Sequence, residues 1–375
     1  MHKKHLTIGV DIRDLQTAKT GTRTYLEELC KALYKLSGEN LTIHFLDTKL
    51  SAGPGESKLS KYSNHFFYQL WKQVVLPLKA ARKHCDFVLC TDNFVPLIHL
   101  GYQTVPVFHD AFFFENPEHY GKLWLRLYHL TALPAARKSA FVITPTAYAQ
   151  KQLAHYTNIP QEHFKVVYEG PKTRVNHPSA AVLQQFSLLP QQYILHVGSP
   201  FKRKNIPALI RAFAALKKQN PSSIKLVLAG PDQGLQDNTE FLQIQHEIQN
   251  SDYAQDIIIT GYLSEEELAG MYTYALFYVF PSLNEGFGIP VLEAFQYGIP
   301  VMVADNTCLP EVGGDAVLTF NPKDDNDITE KMQSLQENAQ LRSTLIQAGK
   351  TRLTQFSWDK AAAEIIQLFN ENQRS

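Results

Sequence analysis

Residues 272–311 read YTYALFYVFPSLNEGFGIPVLEAFQYGIPVMVADNTCLPE, and this stretch decides the fold. Residues 275–280 form a short apolar run rich in aromatic and β-branched side chains, ended by Pro281-Ser282, the pattern of a strand buried on both faces. The loop Asn284-Glu285-Gly286-Phe287-Gly288 follows, and Pro290 suits the first turn of a helix, where its missing N–H is not needed. Gly298 ends that helix, expected over 290–297, and residues 299–304 read as the next strand. Strand, glycine loop, helix and strand make one parallel-sheet unit. Free backbone N–H groups and the positive end of a helix converge at such a loop, which suits a diphosphate.

Glu285 and Glu293 flank this seat, seven residues intervening. Neither should touch a phosphate, which would repel them, and each is suited to accept hydrogen bonds from sugar hydroxyls. For Glu293 alone, a solvated carboxylate favoured by the helix dipole explains the residue equally well. The whole string EGFGIPVLEA followed by GIPV is more specific, and resembles the signature of the retaining glycosyltransferase family 4, of GT-B fold. The resemblance implies two Rossmann-like α/β domains facing across a cleft, and transfer of a hexose from a nucleoside diphosphate sugar to an acceptor hydroxyl. Glu285, Gly286, Phe287, Gly288 and Glu293 then belong to the donor site, and Glu285 with His109 of the first half is expected to act in catalysis.

Other segments extend this reading. Residues 193–197 read as a strand, followed by VGSPFKRKN and a helix. Three cations, Lys202, Arg203 and Lys204, before a helix start oppose the helix dipole unless an anion sits there. The stretch resembles the family's diphosphate clamp, with Arg203 and Lys204 as its cations. Strands at 226–230 and 257–261 continue the alternation, and by resemblance the loop Gly261-Tyr262 helps to seat the base. SEEELAGMY carries a capping box, Ser264 with Glu267 three residues on.

In the first half, strands are expected at 6–10, 41–46, 87–90, 104–108 and 141–144, with a helix over 23–35 after the loop DIRDLQTAKTGT. Thr20-Gly21-Thr22 reads as a strand-to-helix turn. By resemblance Gly21 lets backbone approach the donor diphosphate. His109-Asp110 closes the strand VPVF, at the edge where open α/β sheets place reactive groups. A histidine satisfied by backbone is the plain alternative, but the run PVFHD followed by ENPE resembles the family's acceptor-side loop, where the histidine borders the transferred sugar. Residues 51–60 read as a polar loop. HFFYQLWKQVVLPLKAARKH is aromatic and basic, with Phe67, Leu70, Trp71, Val74 and Val75 along one helical stripe. That stripe is either core or, with Phe66, Lys58, Lys61, Lys72, Lys79, Arg82 and Lys83, a surface for an anionic membrane.

Domains are expected at 1–170 for the acceptor, 171–356 for the nucleotide sugar, and 357–375 as a terminal helix that crosses back to the first. At 375 residues, 44% hydrophobic and 19% charged, the chain is long enough for both domains. Residues 1–170 hold 20 Lys+Arg against 14 Asp+Glu, a net +6, so the remainder carries 16 against 22, or −6. The four cysteines show no zinc spacing. With no apolar segment for a leader or a span of roughly 18 residues, a cytoplasmic location is expected, with the inner face of the plasma membrane as the alternative.

No metal-binding motif of the DxD kind occurs in a suitable loop, so no metal cofactor is expected, and the cations with the loop amides would stabilise the leaving diphosphate. Partners are the nucleotide-sugar donor and a glycan or lipid-linked acceptor, with no nucleic acid. Within the family the likeness runs to bacterial mannosyltransferases of surface-polysaccharide assembly, which makes GDP-mannose the first expectation for the donor. A GT-B sugar-nucleotide epimerase, a pyridoxal phosphorylase and a catalytically silent sugar-nucleotide binding protein are the alternatives.

Overall fold

The computed structural model describes residues 5–18, 20–48, 58–117, 121–230 and 239–373. The chain divides into two units, Met1–Glu169 with Trp358–Ser375, and Gly170–Ser357.

The first unit is built on a parallel sheet of order β2-β1-β3-β4, from Leu6–Asp11 (β1), Leu41–Leu46 (β2), Phe87–Cys90 (β3) and Gln103–Pro106 (β4). A parallel bridge between Val107 and Ile143 continues it to β5 (Val142–Thr144) and β6 (Phe164–Val166). From β1 the chain lays β2 on one side, then crosses to β3 on the other, so the strand order reverses between β1 and β3. The terminal helix Trp358–Asn372 belongs to this unit and buries Trp358, Ala361, Ala362, Ile365 and Phe369. These positions repeat every three or four residues, the period of one helix face. Phe369 stacks on Phe87 of β3 at 4.7 Å, and Trp358 meets Tyr25 edge-on.

Two expectations change here. The first helix spans Thr20–Leu36, so Gly21 lies in its first turn and not in a loop; a Cβ there would meet open space. The buried face Tyr25, Leu26, Leu29, Ala32 and Leu33 carries the helix past a residue whose helical cost is only about 1 kcal/mol. The aromatic, basic segment forms helix from Lys58–Leu70, a π-helical turn at Trp71–Val75, and helix again at Leu76–Arg82. The loop expected over 51–60 therefore ends by 57, and its residues up to 57 lie outside the described ones. A π turn holds one residue more than an α turn, so it breaks a stripe drawn at constant helical spacing. Trp71 and Lys72 are buried, whereas Val74 is exposed. Lys72 is thus unavailable to a lipid surface.

The second unit carries a six-stranded parallel sheet of order β12-β11-β10-β7-β8-β9. Its strands are Tyr193–Val197 (β7), Lys225–Ala229 (β8), Ile257–Gly261 (β9), Phe277–Phe280 (β10), Val301–Ala304 (β11) and Val317–Phe320 (β12). All four residues of both β10 and β11 are buried, as central strands covered on both faces require. β11 begins two residues later than expected because the N–H of Ile299 still bonds the carbonyl of Ala294 at the end of the helix Ile289–Tyr297. From β7 the chain builds β8 and β9 outward, then returns to lay β10 on the opposite side of β7. Its reversal point therefore falls between β7 and β10. Among the described residues no helix is long and apolar enough to cross a membrane.

Candidate active site

Open parallel sheets bind ligands beyond the carboxyl ends of their strands, where the order reverses. At the β7/β10 reversal the loop after β7 holds Lys202–Lys204 in a single 3-10 turn, and Asn205, in the left-handed conformation, starts the helix Ile206–Gln219. The loop after β10 brings Glu285. Its Oε1 accepts from Lys204 Nζ at 2.6 Å and lies 3.0 Å from Arg203 Nη1. Arg203 Nη1 also donates to the carbonyl of Asn284, and the N–H of Leu283 donates to the carbonyl of Arg203. The two loops are stitched through backbone as well as charge. The anion expected from outside is supplied by the protein itself, so Arg203 and Lys204 are compensated before any ligand arrives. Lys202 stays exposed.

Burial sets the electrostatics. Desolvation alone would raise the Glu285 carboxyl, but Lys204 and Arg203 outweigh it and hold the group below the usual carboxylate range. Burial pulls the Lys204 ammonium below its ordinary value, more than Glu285 restores it. Lys204 Nζ sits 4.6 Å from the centre of the Phe280 ring, and the His196 ring stacks on the same Phe280 at 6.3 Å. His196 is buried, with Nδ1 bonded to the carbonyl of Val279 and, among the described residues, no hydrogen-bond partner on Nε2. Burial, with a further push from Lys204, takes its pKa down to about 4, so it is neutral near pH 7.

Gly286, Phe287 and Gly288 complete the loop. Gly288 caps the helix Ile289–Tyr297 at φ 98°, a conformation that favours glycine, and a Cβ there would come within 3.0 Å of Leu309. Cys308 donates its thiol to the carbonyls of Glu285 and Phe287, so it fastens the loop and is buried. Glu293 lies on the first turns of the helix, and its Oε2 accepts from the hydroxyl of buried Tyr272 at 3.1 Å. Desolvation raises its carboxyl despite that bond. Gly261 ends β9 at φ 70°, and Tyr262 beside it is exposed.

In the first unit His109 follows β4. Its Nε2 donates to the carbonyl of Thr91 at 2.8 Å, and its Nδ1 faces Glu169 at 3.7 Å. Burial would lower the imidazole pKa, but Glu169 outweighs it and the net shift is upward. Tyr25 stands edge-on to the ring at 4.7 Å. Gly21 opens the helix that carries Tyr25 and is itself exposed. Glu118 of the ENPE run lies outside the described residues.

Four participants escaped the sequence reading: Thr91 and Glu169 around His109, and His196 and Tyr272 around the donor loops. His196 sits inside the strand YILHV and looks like core. Tyr272 had one available signal, a polar-tipped aromatic at the end of a helix that precedes a buried strand.

Residues 184–352 match the family model of glycosyl transferases group 1. Over this segment, a little under half of its length, the chain is similar to the group 1 glycosyltransferases. It is 29% identical over 295 residues to O-antigen chain mannosyltransferase B of Escherichia coli, covering 77% of this chain and 76% of that protein. It is 29% identical over 281 residues to the serotype-specific mannosyltransferase WbdA of Escherichia coli, 73% of this chain and 34% of the relative, so it spans about a third of that longer protein. The glycosyltransferase superposes on sucrose-phosphate synthase from Thermosynechococcus elongatus with a TM-score of 0.77 at 19% identity, over 98% and 99% of the two chains. Anabaena Alr3699/HepE, solved in complex with UDP and glucose, gives 0.71 at 17% identity over 98% and 100%. The fold of this glycosyltransferase is GT-B, two α/β units with parallel sheets.

Proposed function

We propose that this glycosyltransferase moves mannose from GDP-mannose, with retention, to a hydroxyl of a glycan or lipid-linked acceptor in cell-surface polysaccharide assembly. The observation that carries the reading is the pair Arg203 and Lys204 held by Glu285 at the β7/β10 reversal. Two preorganised cations meet the charge that develops on a departing diphosphate, with no reorganisation at the moment of reaction. The second unit then holds the donor, the amides of Gly286–Gly288 adding dipoles, Glu293 accepting from hydroxyls and the Gly261-Tyr262 loop seating the base. No metal cofactor is needed for this step. The first unit takes the acceptor, with His109 bordering the transferred sugar as a catalytic residue and Gly21 letting backbone approach the donor diphosphate. Mannose is favoured because the O-antigen and serotype relatives are mannosyltransferases.

We place the enzyme on the cytoplasmic side, at the inner membrane face. Exposed Phe66, Val74 and Leu78 on the helical segment 58–82, followed by Lys79, Arg82 and Lys83, support that contact in place of Trp71 and Lys72.

The test is an assay of the purified chain with GDP-mannose and α-mannobiose. Expected are acceptor-dependent GDP release and a trisaccharide whose new linkage is α by NMR. Turnover of another sugar nucleotide but not GDP-mannose sinks the donor assignment, and an epimerised sugar nucleotide formed without acceptor sinks transfer itself.

A further inference from the structure

The first unit has a reversal point of its own, between β1 and β3, and it is lined by a cluster that the donor chemistry does not use. Asp11 ends β1, Arg13 and Asp14 lie in the 3-10 turn Arg13–Gln16 that follows, and Asp92 follows β3. The π turn at Trp71–Val75 points two neighbouring side chains at the same carboxylate: Trp71 Nε1 donates to Asp11 Oδ1 at 3.0 Å and Lys72 Nζ to Asp11 Oδ2 at 2.5 Å. Lys72 Nζ also donates to Asp92 Oδ1 at 2.6 Å, and Tyr68 donates its hydroxyl to Asp92 Oδ2 at 2.6 Å. Such π turns recur at functional sites.

Three features mark this place as built for a ligand. Arg13 is buried, its guanidinium 5.0 Å over the Tyr68 ring, yet among the described residues its Nε has no hydrogen-bond partner. A buried donor without a partner costs free energy unless something else satisfies it. Its Nη1 lies 3.9 Å from Asp14 Oδ1, beyond hydrogen-bond range, and the Asp14 carboxylate is 18% exposed, so both have capacity to spare. The cluster also adjoins His109, because Thr91, whose carbonyl holds the imidazole, is the residue before Asp92.

The charge balance selects the ligand class. Asp11, Asp14 and Asp92 are three carboxylates against two cations, Arg13 and Lys72, so the cluster carries an excess of one negative charge above about pH 7, where Asp14 is ionised. A phosphate or carboxylate ligand would be repelled. Among the described residues no group of His, Cys, Asp and Glu is placed to hold a metal ion, and here the Lys72 ammonium occupies the place between Asp11 and Asp92. A neutral polyhydroxyl ligand fits: its hydroxyls can donate to Asp14 and Asp92, one of its oxygens can accept from Arg13 Nε, and Tyr68 holds Arg13 and Asp92 in place through its ring and its hydroxyl. We propose that Arg13, Asp14, Tyr68 and Asp92 form a subsite for a neutral saccharide, the acceptor's terminal sugar, and that it discriminates against anionic sugars. This rests on the reading of the chain as a transferase to glycan acceptors.

The test is direct binding to the full chain, by saturation-transfer NMR and calorimetry, of α-mannobiose, methyl α-D-mannopyranoside and mannose 6-phosphate. At pH 8, where Asp14 is ionised, wild type should bind the neutral sugars and bind mannose 6-phosphate more weakly. Asp14→Asn and Asp92→Asn should each weaken mannobiose on the order of 10-fold, the loss of a hydrogen bond to a charged group, with GDP-mannose affinity unchanged. Asp92→Asn also disturbs Lys72, so Asp14→Asn, which touches no other buried ion pair, is the variant that decides if the first fails to fold. Absence of saccharide binding by wild type, preference for the phosphate, or unchanged affinity in Asp14→Asn overturns the subsite. If GDP-mannose neither binds nor turns over while mannobiose binding still falls in Asp14→Asn, the donor assignment has failed and the subsite stands.

Discussion

Among the described residues each unit has one strand reversal, and the two are lined by charges of opposite balance. At β7/β10 two cations, Arg203 and Lys204, share the single carboxylate of Glu285. At β1/β3 three carboxylates share Arg13 and Lys72. The lysines show what the difference means. Burial opposes the charge on both, but around Lys72 the pull of Asp11 and Asp92 prevails and its pKa rises well above the ordinary value. Around Lys204 one carboxylate, already shared with Arg203, does not prevail and the pKa falls. An arriving anion would therefore relieve Lys204 and has nothing to offer Lys72. On the proposed reading, one sheet device serves an anionic donor in one unit and disfavours anions in the other.

The largest effect expected from this comparison is on stability. Lys72→Met leaves Asp11 and Asp92 buried without their cation, and breaking a buried pair from one side costs about 3–5 kcal/mol. All three tryptophans, Trp71, Trp124 and Trp358, lie in the first unit, so denaturation followed by tryptophan fluorescence reports on that unit. A loss below about 1 kcal/mol would mean that solvent already screens the cluster, and the contrast between the two lysines would not hold.

Much of the second unit was legible because its strands are covered on both faces. Runs such as YILHV and FYVF declare themselves by composition alone, and the glycine loop with its proline-started helix follows from local backbone preferences. What escaped depends on contacts between distant residues. The ion pair of Lys204 with Glu285 joins positions 81 apart, and nothing in KRKN says where its counter-charge lies. The π turn at Trp71–Val75 was hidden because a stripe drawn at constant spacing has no place for an extra residue. DIRDL read as loop for the same reason: its significance comes from Asp92 and Lys72, which topology alone brings to it.

The next effect is on turnover. The three consecutive cations 202–204 have different surroundings, buried Lys204 and half-buried Arg203 on Glu285, and exposed Lys202. If the pair stabilises the leaving diphosphate, Lys204→Ala raises the barrier by about 2–4 kcal/mol while donor affinity falls less. Lys202→Ala should stay within about 0.5 kcal/mol of wild type. Turnover at saturating GDP-mannose measures both, and equal losses in the two variants would mean that the loop acts through its overall charge and not through the pair on Glu285.

The smallest effect is set by pH. Burial raises the Asp14 carboxyl from 3.8 to about 7, with Asp92 and Asp11 adding to the rise and Lys72 and Arg13 opposing it. The folded chain therefore holds a proton on Asp14 that the unfolded chain releases near pH 4. Stability from this group is fully present below about pH 4, declines as pH rises, and is gone once pH passes about 7. The amide introduced by Asp14→Asn cannot ionise, so the variant should match wild type at pH 4 and exceed it at pH 8. With the carboxylate 18% exposed, the full linkage value is reduced by solvent, and a gain of about 1–2 kcal/mol is expected. The same substitution should weaken saccharide binding at pH 8, so affinity and stability move in opposite directions. A variant less stable than wild type at pH 8 would show that Asp14 is paired more strongly than a 3.9 Å approach to Arg13 allows, and the excess negative charge assigned to the first unit's reversal would be wrong.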